Sequence, residues 1–244
     1  MENKVYLSVI IPAYNEESRL NNTLKEIDAY LKTQSYLYEI VVVNDGSKDR
    51  TAEVVNELSL SIKDLRLINN KENRGKGFIV KQGMTEALGQ YRLFSDADNS
   101  VSIDQIEKIW PVLKQGYEVV IGSRSMKESI IDPCQAWPRR LIGKAGNLVI
   151  QTIGGLSGIW DSQCGFKCFT GDSAQNIFSK TMINRWGFDV ESLVLAKKLG
   201  YQIKEIPVIW KNDFRSTVRL FGIIKTFFEV LQIRWNLITN KYNL

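Results

Sequence analysis

Residues 93–98 read LFSDAD, a short apolar run that stops at two carboxylates separated by one alanine. If the run is a buried strand, Asp96 and Asp98 follow its carboxyl end, where open α/β sheets bind their ligands. Residues two apart in an extended chain face the same way, so the two carboxylates can converge on one cation. Such a pair suits Mg²⁺ or Mn²⁺, because these ions prefer oxygen ligands and often share them with substrate phosphates. An acidic turn after a strand is the alternative, since aspartate is common in turns.

The composition is that of a globular α/β protein. The chain has 244 residues, of which 44% are hydrophobic and 24% charged, and these values exclude a disordered or fibrous chain. A net charge of +5 favours phosphates, anionic lipid or nucleic acid without choosing among them. No nucleic-acid recognition motif accompanies that charge, so we expect no nucleic-acid partner.

Cysteine and histidine content narrows the chemistry further. The chain has three cysteines and no histidine, which excludes Ser-His-Asp and Cys-His catalysis and leaves Cys164 and Cys168 without the partners of a zinc site. The charged start of the chain shows no secretory signal, which favours a reducing compartment. No apolar run approaches the roughly 20 residues of a membrane-spanning helix. We therefore expect a cytoplasmic protein that, if it works on membranes, lies on them.

Strands alternate with helices along the first 125 residues. Besides the run at 93–95, four apolar and largely β-branched runs predict strands: residues 5–11, 39–43, 65–68 and 118–121. Apolar residues spaced by three and four predict helices between them. Pro12 is expected to end the first strand, and Ser102 with Gln105 predicts a capping box. The alternation predicts a mostly parallel central sheet flanked by helices.

Polar, glycine-containing loops follow the predicted strands. Residues 44–51 read NDGSKDRT, the kind of loop in which a doubly wound fold holds a nucleotide. Asp45 can accept a hydrogen bond from a base or ribose, whereas Ser47 or Asp49 can instead cap the next helix. Residues 74–77 read RGKG before a helix, and the N–H groups at a helix N-terminus favour phosphate. The spacing is not that of a P-loop.

Seven blocks of the sequence, taken together, carry a family resemblance. Five of them are, in chain order, 8–17 (SVIIPAYNEE), 42–51 (VVNDGSKDRT), 73–77 (NRGKG), 96–98 (DAD) and 122–124 (GSR). In this order they resemble family 2 of the GT-A glycosyltransferases. Residues 161–167 (DSQCGFK) and 185–191 (RWGFDVE) further resemble the dolichyl-phosphate β-glucosyltransferase branch of that family. The resemblance covers roughly residues 5–212 and implies the GT-A nucleotide-sugar-binding fold.

The resemblance also implies site residues and a metal cofactor. Such enzymes bind a nucleotide sugar at the carboxyl ends of the strands and hold its diphosphate with a divalent metal, here Mg²⁺ or Mn²⁺. By motif, the nucleotide-sugar-binding residues are Pro12, Ala13, Tyr14, Glu16, Asp45, Arg74, Lys76 and Asp96. Asp98 is then a metal ligand, and Asp96 faces the ribose or the metal shell. Asn44 stands where the family usually has the first of two acids; if that position only turns the loop, asparagine serves equally well.

A basic segment predicts the acceptor site. Arg124, Arg139 and Arg140, with Trp137-Pro138, combine phosphate-pairing charge with apolar contact; a solvated loop is the alternative. A polyprenyl phosphate needs no general base, because a phosphate monoester is largely ionised at neutral pH, whereas an alcohol needs one. The resemblance places Gln163 beside the active site and makes Asp189 and Glu191 candidates for an acidic wall. The predicted catalytic set is Asp96, Asp98, Arg124, Arg139 and Gln163.

Two units are expected along the chain: a GT-A glycosyltransferase domain at 1–212 and a C-terminal amphipathic helical segment at 213–244. The second is rich in Phe, Ile, Leu and Trp yet interrupted by charged residues. A helix of this kind lies in a membrane interface; packing on the domain or on a second copy of the chain, as a homo-oligomer, is the competing interpretation.

The sequence thus predicts a metal-dependent inverting glycosyltransferase. It is expected to move glucose from UDP-glucose to a polyprenyl or dolichyl phosphate, as a peripheral protein of the cytoplasmic membrane face. One alternative is a transferase of the same fold that acts on a polysaccharide, lipid or protein hydroxyl. The other is an inactive nucleotide-sugar-binding partner in a membrane complex.

Overall fold

A seven-stranded sheet forms the centre of the protein, in a computed structural model that describes residues 4–132, 146–147, 150–211 and 220–244. The described strands are β1 (Leu7–Ala13), β2 (Tyr38–Asp45), β3 (Leu65–Asn70), β4 (Tyr91–Ser95), β5 (Val119–Ser123), β6 (Ile130–Asp132), β7 (Phe166–Thr170), β8 (Ile203–Pro207) and β9 (Ile209–Lys211). The order across the large sheet is β3-β2-β1-β4-β7-β5-β8. Its strands are parallel except β7, which is antiparallel to both of its neighbours. The short strands β6 and β9 pair in parallel as a separate ribbon.

Helices cover both faces of this sheet. The described ones are α1 (Leu20–Leu31), α2 (Thr51–Ser59), α3 (Lys76–Glu86), α4 (Trp110–Lys114), α5 (Gly171–Lys180), α6 (Phe188–Lys198) and α7 (Leu220–Ile238), with a 3₁₀ helix at Ile103–Lys108. Successive residues of β2 alternate between the faces: Ile40 and Val42 join a core with α1 and α2, and Val41 and Val43 join a core with α3, α5 and α6. A strand buried on both sides must be apolar throughout, which explains the continuous runs in the sequence. The predicted α/β fold with a mostly parallel sheet is confirmed.

Two local expectations were wrong. Strand β1 continues through Pro12, which pairs with Val43; pairing with β4 ends at Ile10, so the strand has an open edge where proline is tolerated. Ser102 makes no capping hydrogen bond. Instead the Gln105 amide accepts the N–H of Ile209 (2.6 Å) and donates to its carbonyl (2.8 Å), because a partner distant in sequence satisfies it better than the local backbone.

The C-terminal helix packs on the second core. Its inner face contributes Val230 and Ile233, and Tyr242 beyond it is also buried in that core. No helix among the described residues is long and apolar enough to cross a membrane. The division of the chain at residues 212 and 213 stays a prediction, because this junction lies outside the described residues.

Candidate active site

The two carboxylates of the DAD motif lie in a turn directly after β4. The strand ends at Ser95, and the N–H of Asn99 donates to the carbonyl of Asp96 at 3.2 Å, with Asn99 in the left-handed region at a φ of 51°. The Asp98 carboxylate accepts the N–H of Ser100 at 3.0 Å. The expectation of an extended chain through both acids was therefore wrong, because the turn begins at Asp96. Both acids still follow the carboxyl end of a buried central strand.

The segment that leads into β7 packs directly on Asp96. The N–H of Asp96 donates to the carbonyl of Gly165 at 3.1 Å. A Cβ atom built on Gly165 would lie 1.9 Å from Oδ2 of Asp96, far inside van der Waals contact. Glycine at this position therefore leaves the space that the Asp96 carboxylate occupies.

Replacement of Gly165 by alanine is expected to displace the Asp96 carboxylate and to lower turnover of the nucleotide sugar about 100-fold, since misplacement by roughly 1 Å has that order of effect. The fold is expected to survive, so the melting temperature should change little. Gly146→Ala is the matched control, because a Cβ there meets no atom of the described residues within 4 Å. Full activity of Gly165→Ala would show that the position of Asp96 is not critical.

Lys76, from the RGKG motif, reaches the same carboxylate from α3. Its Nζ lies 2.6 Å from Oδ1 of Asp96 and within 6.0 Å of the ring centroids of Phe94, Trp186 and Phe188. Although burial alone would lower it, the Asp96 and Asp189 carboxylates raise the pKa of the Lys76 ammonium. Lys76 is therefore a stable cation at the end of β4, where a diphosphate would need one.

A buried ion pair that sequence reasoning missed lies behind Lys76. The Lys167 ammonium contacts the Asp189 carboxylate and donates to the carbonyl of Cys164 at 2.6 Å, and Lys167 is only 1% exposed. Burial raises the pKa of Asp189, while the Lys167 and Lys76 ammonium groups oppose that shift. The signal was a single charged residue inside the apolar strand FKCFT, since a lysine is almost never fully buried unless it is paired.

Asp45 supports the RGKG loop. Its carboxylate accepts the N–H groups of Arg74 (2.7 Å) and Gly75 (2.9 Å), and Asp45 is only 2% exposed. Its predicted contact with a base stays a prediction. Asn44 turns its loop by accepting the N–H of Ser47 at 3.3 Å and donates to Oδ1 of Asn69 at 2.7 Å. An aspartate could not make that donation, so asparagine has its own structural role here.

The other predicted nucleotide-sugar residues lie around the carboxyl ends of β1 and β2. Pro12 and Ala13 are buried at the end of β1, whereas the ring of Tyr14 is 41% exposed. The Glu16 carboxylate accepts from Nη2 of Arg19 at 2.7 Å. The Arg74 guanidinium lies 3.8 Å from the ring centroid of Phe78. Their contacts with a nucleotide sugar stay predictions.

On the other side of β4, Arg124 forms a two-pronged ion pair with Asp161. Its Nε and Nη2 donate to the two carboxylate oxygens at 2.7 and 2.8 Å, and its guanidinium lies 5.5 Å from the Trp210 ring centroid. Although burial alone would raise it, Arg124 holds the pKa of the Asp161 carboxyl below its usual value. Glu205 in turn accepts the N–H groups of Trp160 and Asp161 at 3.0 and 2.9 Å. Arg124 is thus held in place at the end of β5.

Three more residues are predicted to bind the acceptor or to take part in catalysis. Arg139 and Arg140 lie outside the described residues, and Gln163 is exposed two residues from Asp161. Their roles stay predictions. Cys164 is buried and burial raises the pKa of its thiol to about 12, so it is an unreactive packing residue.

Glu191 does not join the acidic wall. Its buried carboxylate accepts the N–H groups of Met182 (3.0 Å) and Ile183 (2.9 Å) and the hydroxyl of Tyr242 (2.7 Å). These contacts occupy it because the C-terminal segment folds back onto α6. Of the two residues predicted for the acidic wall, only Asp189 lies in the charged cluster formed with Lys76, Asp96 and Lys167.

The donor set of the DAD turn fits a divalent metal. Carboxylate oxygens are the ligands that Mg²⁺ and Mn²⁺ prefer, and the glycine at 165 leaves Asp96 room to turn. Among the described residues, no group of three or more His, Cys, Asp or Glu side chains lies close enough to hold a metal alone. A magnesium site that phosphate oxygens and water complete needs only one or two carboxylates. Asp98 and Asp96 are the residues that would hold the ion.

Solved GT-A glycosyltransferases share this fold. Mannosyl-3-phosphoglycerate synthase from Rubrobacter xylanophilus superimposes with a TM-score of 0.71 at 17% identity, covering 98% of this chain and 76% of that chain. Glucosyl-3-phosphoglycerate synthase from Mycobacterium tuberculosis, solved with Mn²⁺, UDP-glucose and phosphoglyceric acid, gives a TM-score of 0.67 at 16% identity, covering 94% of this chain and 79% of that chain. At these identities the likeness shows the shared fold. The metal in that neighbour supports a divalent metal in proteins of this fold.

Sequence comparison gives the family. Residues 8–152 match the model of the glycosyl transferase family 2, and the chain belongs to this family. A dolichyl-phosphate beta-glucosyltransferase of Trichomonas vaginalis is 38% identical over 240 residues, which cover 94% of this chain and 73% of the relative. The human dolichyl-phosphate beta-glucosyltransferase is 32% identical over 257 residues, covering 98% and 78%. The resemblance inferred from the seven motifs is confirmed.

Proposed function

We propose that this glycosyltransferase moves glucose from UDP-glucose to a polyprenyl or dolichyl phosphate at a membrane surface. The observation that carries the proposal is the cluster in which Lys76 pairs with Asp96 beside Asp98, within the family whose relatives are named for this reaction. The cluster offers both carboxylates for a metal and a cation for a diphosphate at one edge of the sheet.

The donor half needs charge neutralisation. Breakage of the anomeric bond leaves a nucleoside diphosphate; Asp98 and Asp96 would hold Mg²⁺ or Mn²⁺, which would supply Lewis-acid stabilisation of that charge. Asp96 holds the Lys76 ammonium at the end of β4, and Asp45 fixes the RGKG loop around it; Lys76 is the cation proposed to pair with a diphosphate oxygen. The protein's own part is therefore to orient the diphosphate and to supply a fixed positive charge.

The acceptor half favours a phosphate over a hydroxyl. Asp161 and Asp189 are both ion-paired, and an Asp161 whose pKa is held down by Arg124 is a poor proton acceptor. A phosphate monoester needs no proton removed, because it is already largely ionised at neutral pH. One of its oxygens attacks the anomeric carbon, the bond to the diphosphate breaks, and UDP leaves with inversion. Arg124 is the described cation at this end of β5, and Arg139 and Arg140 keep their proposed role in acceptor binding.

The outer face of α7 supports contact with a lipid surface. Its exposed apolar side chains form one stripe along the helix: Phe227, Phe228, Leu231, Trp235 and Ile238. Arg234 directly precedes Trp235 and Lys241 follows the helix, and both side chains are exposed. Cations next to aromatic residues suit anionic lipid headgroups. A polyprenyl acceptor is itself embedded in lipid, so we propose that this stripe rests on the bilayer. The expected site at the cytoplasmic membrane face remains part of the proposal.

Replacement of Phe228 and Trp235 by serine is expected to weaken binding to vesicles of phosphatidylcholine and phosphatidylserine by about 10-fold or more, since each large apolar side chain contributes on the order of 1 kcal/mol or more when buried. Vesicle sedimentation measures this. Leu60→Ser is the matched control, because Leu60 is 91% exposed on another part of the surface. Unchanged vesicle binding together with loss of a dimer in sedimentation velocity would assign the stripe to a second copy of the chain instead.

Removal of the whole C-terminal segment would not test the apolar stripe separately from the fold. Val230, Ile233 and Tyr242 belong to the second core, so truncation would expose that core and unfold part of the protein. Substitutions on the outer face leave those contacts intact.

The proposed reaction is tested by transfer of labelled sugar from a panel of UDP- and GDP-sugars to a short polyprenyl phosphate, with Mg²⁺ or Mn²⁺ and with a chelator control. We expect metal-dependent glucolipid from UDP-glucose. Donor hydrolysis without lipid product would point to a hydroxyl acceptor, and absence of donor binding would overturn the proposal.

A further inference from the structure

The loop at residues 183–187, between α5 and α6, packs backbone to backbone on the RGKG motif. A Cβ atom on Gly75 would lie 2.3 Å from the carbonyl oxygen of Asn184, and one on Gly77 would lie 2.4 Å from that of Ile183. The N–H of Phe78 donates to the carbonyl of Asn184 at 3.2 Å. Both glycines of the motif are therefore needed for this close approach, and the position of this loop, called here the Trp186 loop, sets the position of the motif.

The Trp186 loop also reaches the charged cluster. The Trp186 ring centroid lies 5.6 Å from Nζ of Lys76, which is the ammonium that pairs with Asp96. Nη1 of Arg185 donates to Oδ1 of Asn73 at 3.0 Å, directly before the same motif. Movement of the loop would consequently move Lys76 and its ring contacts.

A carboxylate of the C-terminal helix holds this loop. The N–H of Gly187 donates to Oε2 of Glu229 at 2.6 Å, and a Cβ atom on Gly187 would lie 2.7 Å from Cβ of Glu229. Glycine at 187 thus allows α7 to approach the loop backbone. Glu229 is partly buried and directly follows Phe228 of the apolar stripe, so the helix carries the stripe and the loop contact on adjacent residues.

We propose that Glu229 is a positioning residue, which ties α7 to the Trp186 loop and so fixes Lys76 for the donor diphosphate. The effect of Glu229 on catalysis rests on the proposed function, whereas the link between α7 and the Trp186 loop rests on the contacts alone. A hydrogen bond to a charged group is among the stronger ones in proteins. While the Glu229 carboxylate binds the Trp186 loop, the loop stays packed on the RGKG motif. Without that carboxylate, the loop and the motif separate more often.

Hydrogen–deuterium exchange of the unliganded full chain tests the link. In Glu229→Ala and in Glu229→Asp, whose carboxylate is one methylene too short, the amide of Phe78 is expected to exchange about 10-fold faster. Phe78 is a useful reporter because its partner is Asn184 and not Glu229. Glu229→Gln keeps an acceptor oxygen and should stay close to the wild type. Glu57→Ala, which removes an exposed glutamate from α2, is the control.

Two results would overturn the proposal. One is unchanged Phe78 exchange in both the alanine and the aspartate variant; the aspartate variant carries the test if the alanine variant does not fold. The other is faster exchange along the whole of α7, which would mean that Glu229 secures the helix and not the loop.

Steady-state kinetics then test the consequence. With UDP-glucose, the aspartate variant is expected to raise the donor KM about 10-fold, with recovery in Glu229→Gln. If the wild type does not use UDP-glucose, the proposed function fails while the exchange result still decides the link. A normal donor KM in a variant whose Phe78 amide exchanges faster would overturn the positioning role.

Discussion

Replacement of Asp98 by alanine is expected to lower sugar transfer by about 10³-fold, the largest effect on activity of any substitution in this site. The DAD turn offers two carboxylates. Because Asp96 already pairs with Lys76, Asp98 is the carboxylate that we expect to contribute more to metal binding. Loss of Lewis-acid stabilisation of the leaving diphosphate costs several kcal/mol, and about 4 kcal/mol corresponds to that factor in rate.

The Asp98→Ala variant can lose activity through a disturbed turn as well as through lost metal binding, and the two causes must be separated. Asp98 also accepts the N–H of Ser100, so alanine removes a turn hydrogen bond as well as a charge. Asp98→Asn keeps an acceptor oxygen and loses only the charge; it should be nearly as inactive as the alanine variant yet melt close to the wild type. Asp104→Ala, at an exposed aspartate in the 3₁₀ helix that follows, is the control for a lost surface charge. Substantial activity in Asp98→Asn would argue against metal binding at this position.

The largest expected effect on stability comes from Lys167→Met. Its ammonium and the Asp189 carboxylate are both buried, and removal of one partner leaves a buried charge without compensation. We expect a loss of about 3–5 kcal/mol in the free energy of unfolding, measured by urea denaturation. Lys32→Met is the matched control, because that lysine is 57% exposed beside Asp28 and such pairs contribute only about 0–1 kcal/mol.

A double replacement separates the pair's two roles. Lys167→Met with Asp189→Leu removes both charges and should regain most of the lost stability, since apolar residues often substitute well for a buried ion pair. Transfer activity should stay low, because Asp189 also acts on the Lys76 ammonium. If the double variant is as unstable as the single one, packing at Lys167, and not charge, is what the fold requires.

Local patterns were sufficient for the fold and for the grouping of polar residues at one edge of the sheet. The apolar runs before Asp45 and Asp96 are buried strands, and the polar residues after them meet at one edge because parallel strands end together. Each of these inferences used only consecutive residues and the spacing at which apolar residues recur in strands and helices.

Contacts between distant residues were not accessible in the same way. Gln105 serves Ile209 and not a helix cap, and Glu191 binds Tyr242, 51 residues away. Arg124 and Asp161 each looked like a separate feature of the sequence, yet they form one ion pair. Nothing in the spacing of such residues specifies the partner, since burial and geometry select it once the sheet has formed.

Strand β7 enters the sheet from the opposite direction to its neighbours. Its first residue therefore lies at the edge where β4 and β5 end, and the chain segment before it supplies Asp161 and Gly165 to the site. The long connection from β5 to β7 begins and ends at that edge, so its length can change without altering any pairing within the seven-stranded sheet. Evolution can thus vary the proposed acceptor half by insertion and deletion in this connection while the proposed donor half, at the ends of β1, β2 and β4, keeps its geometry.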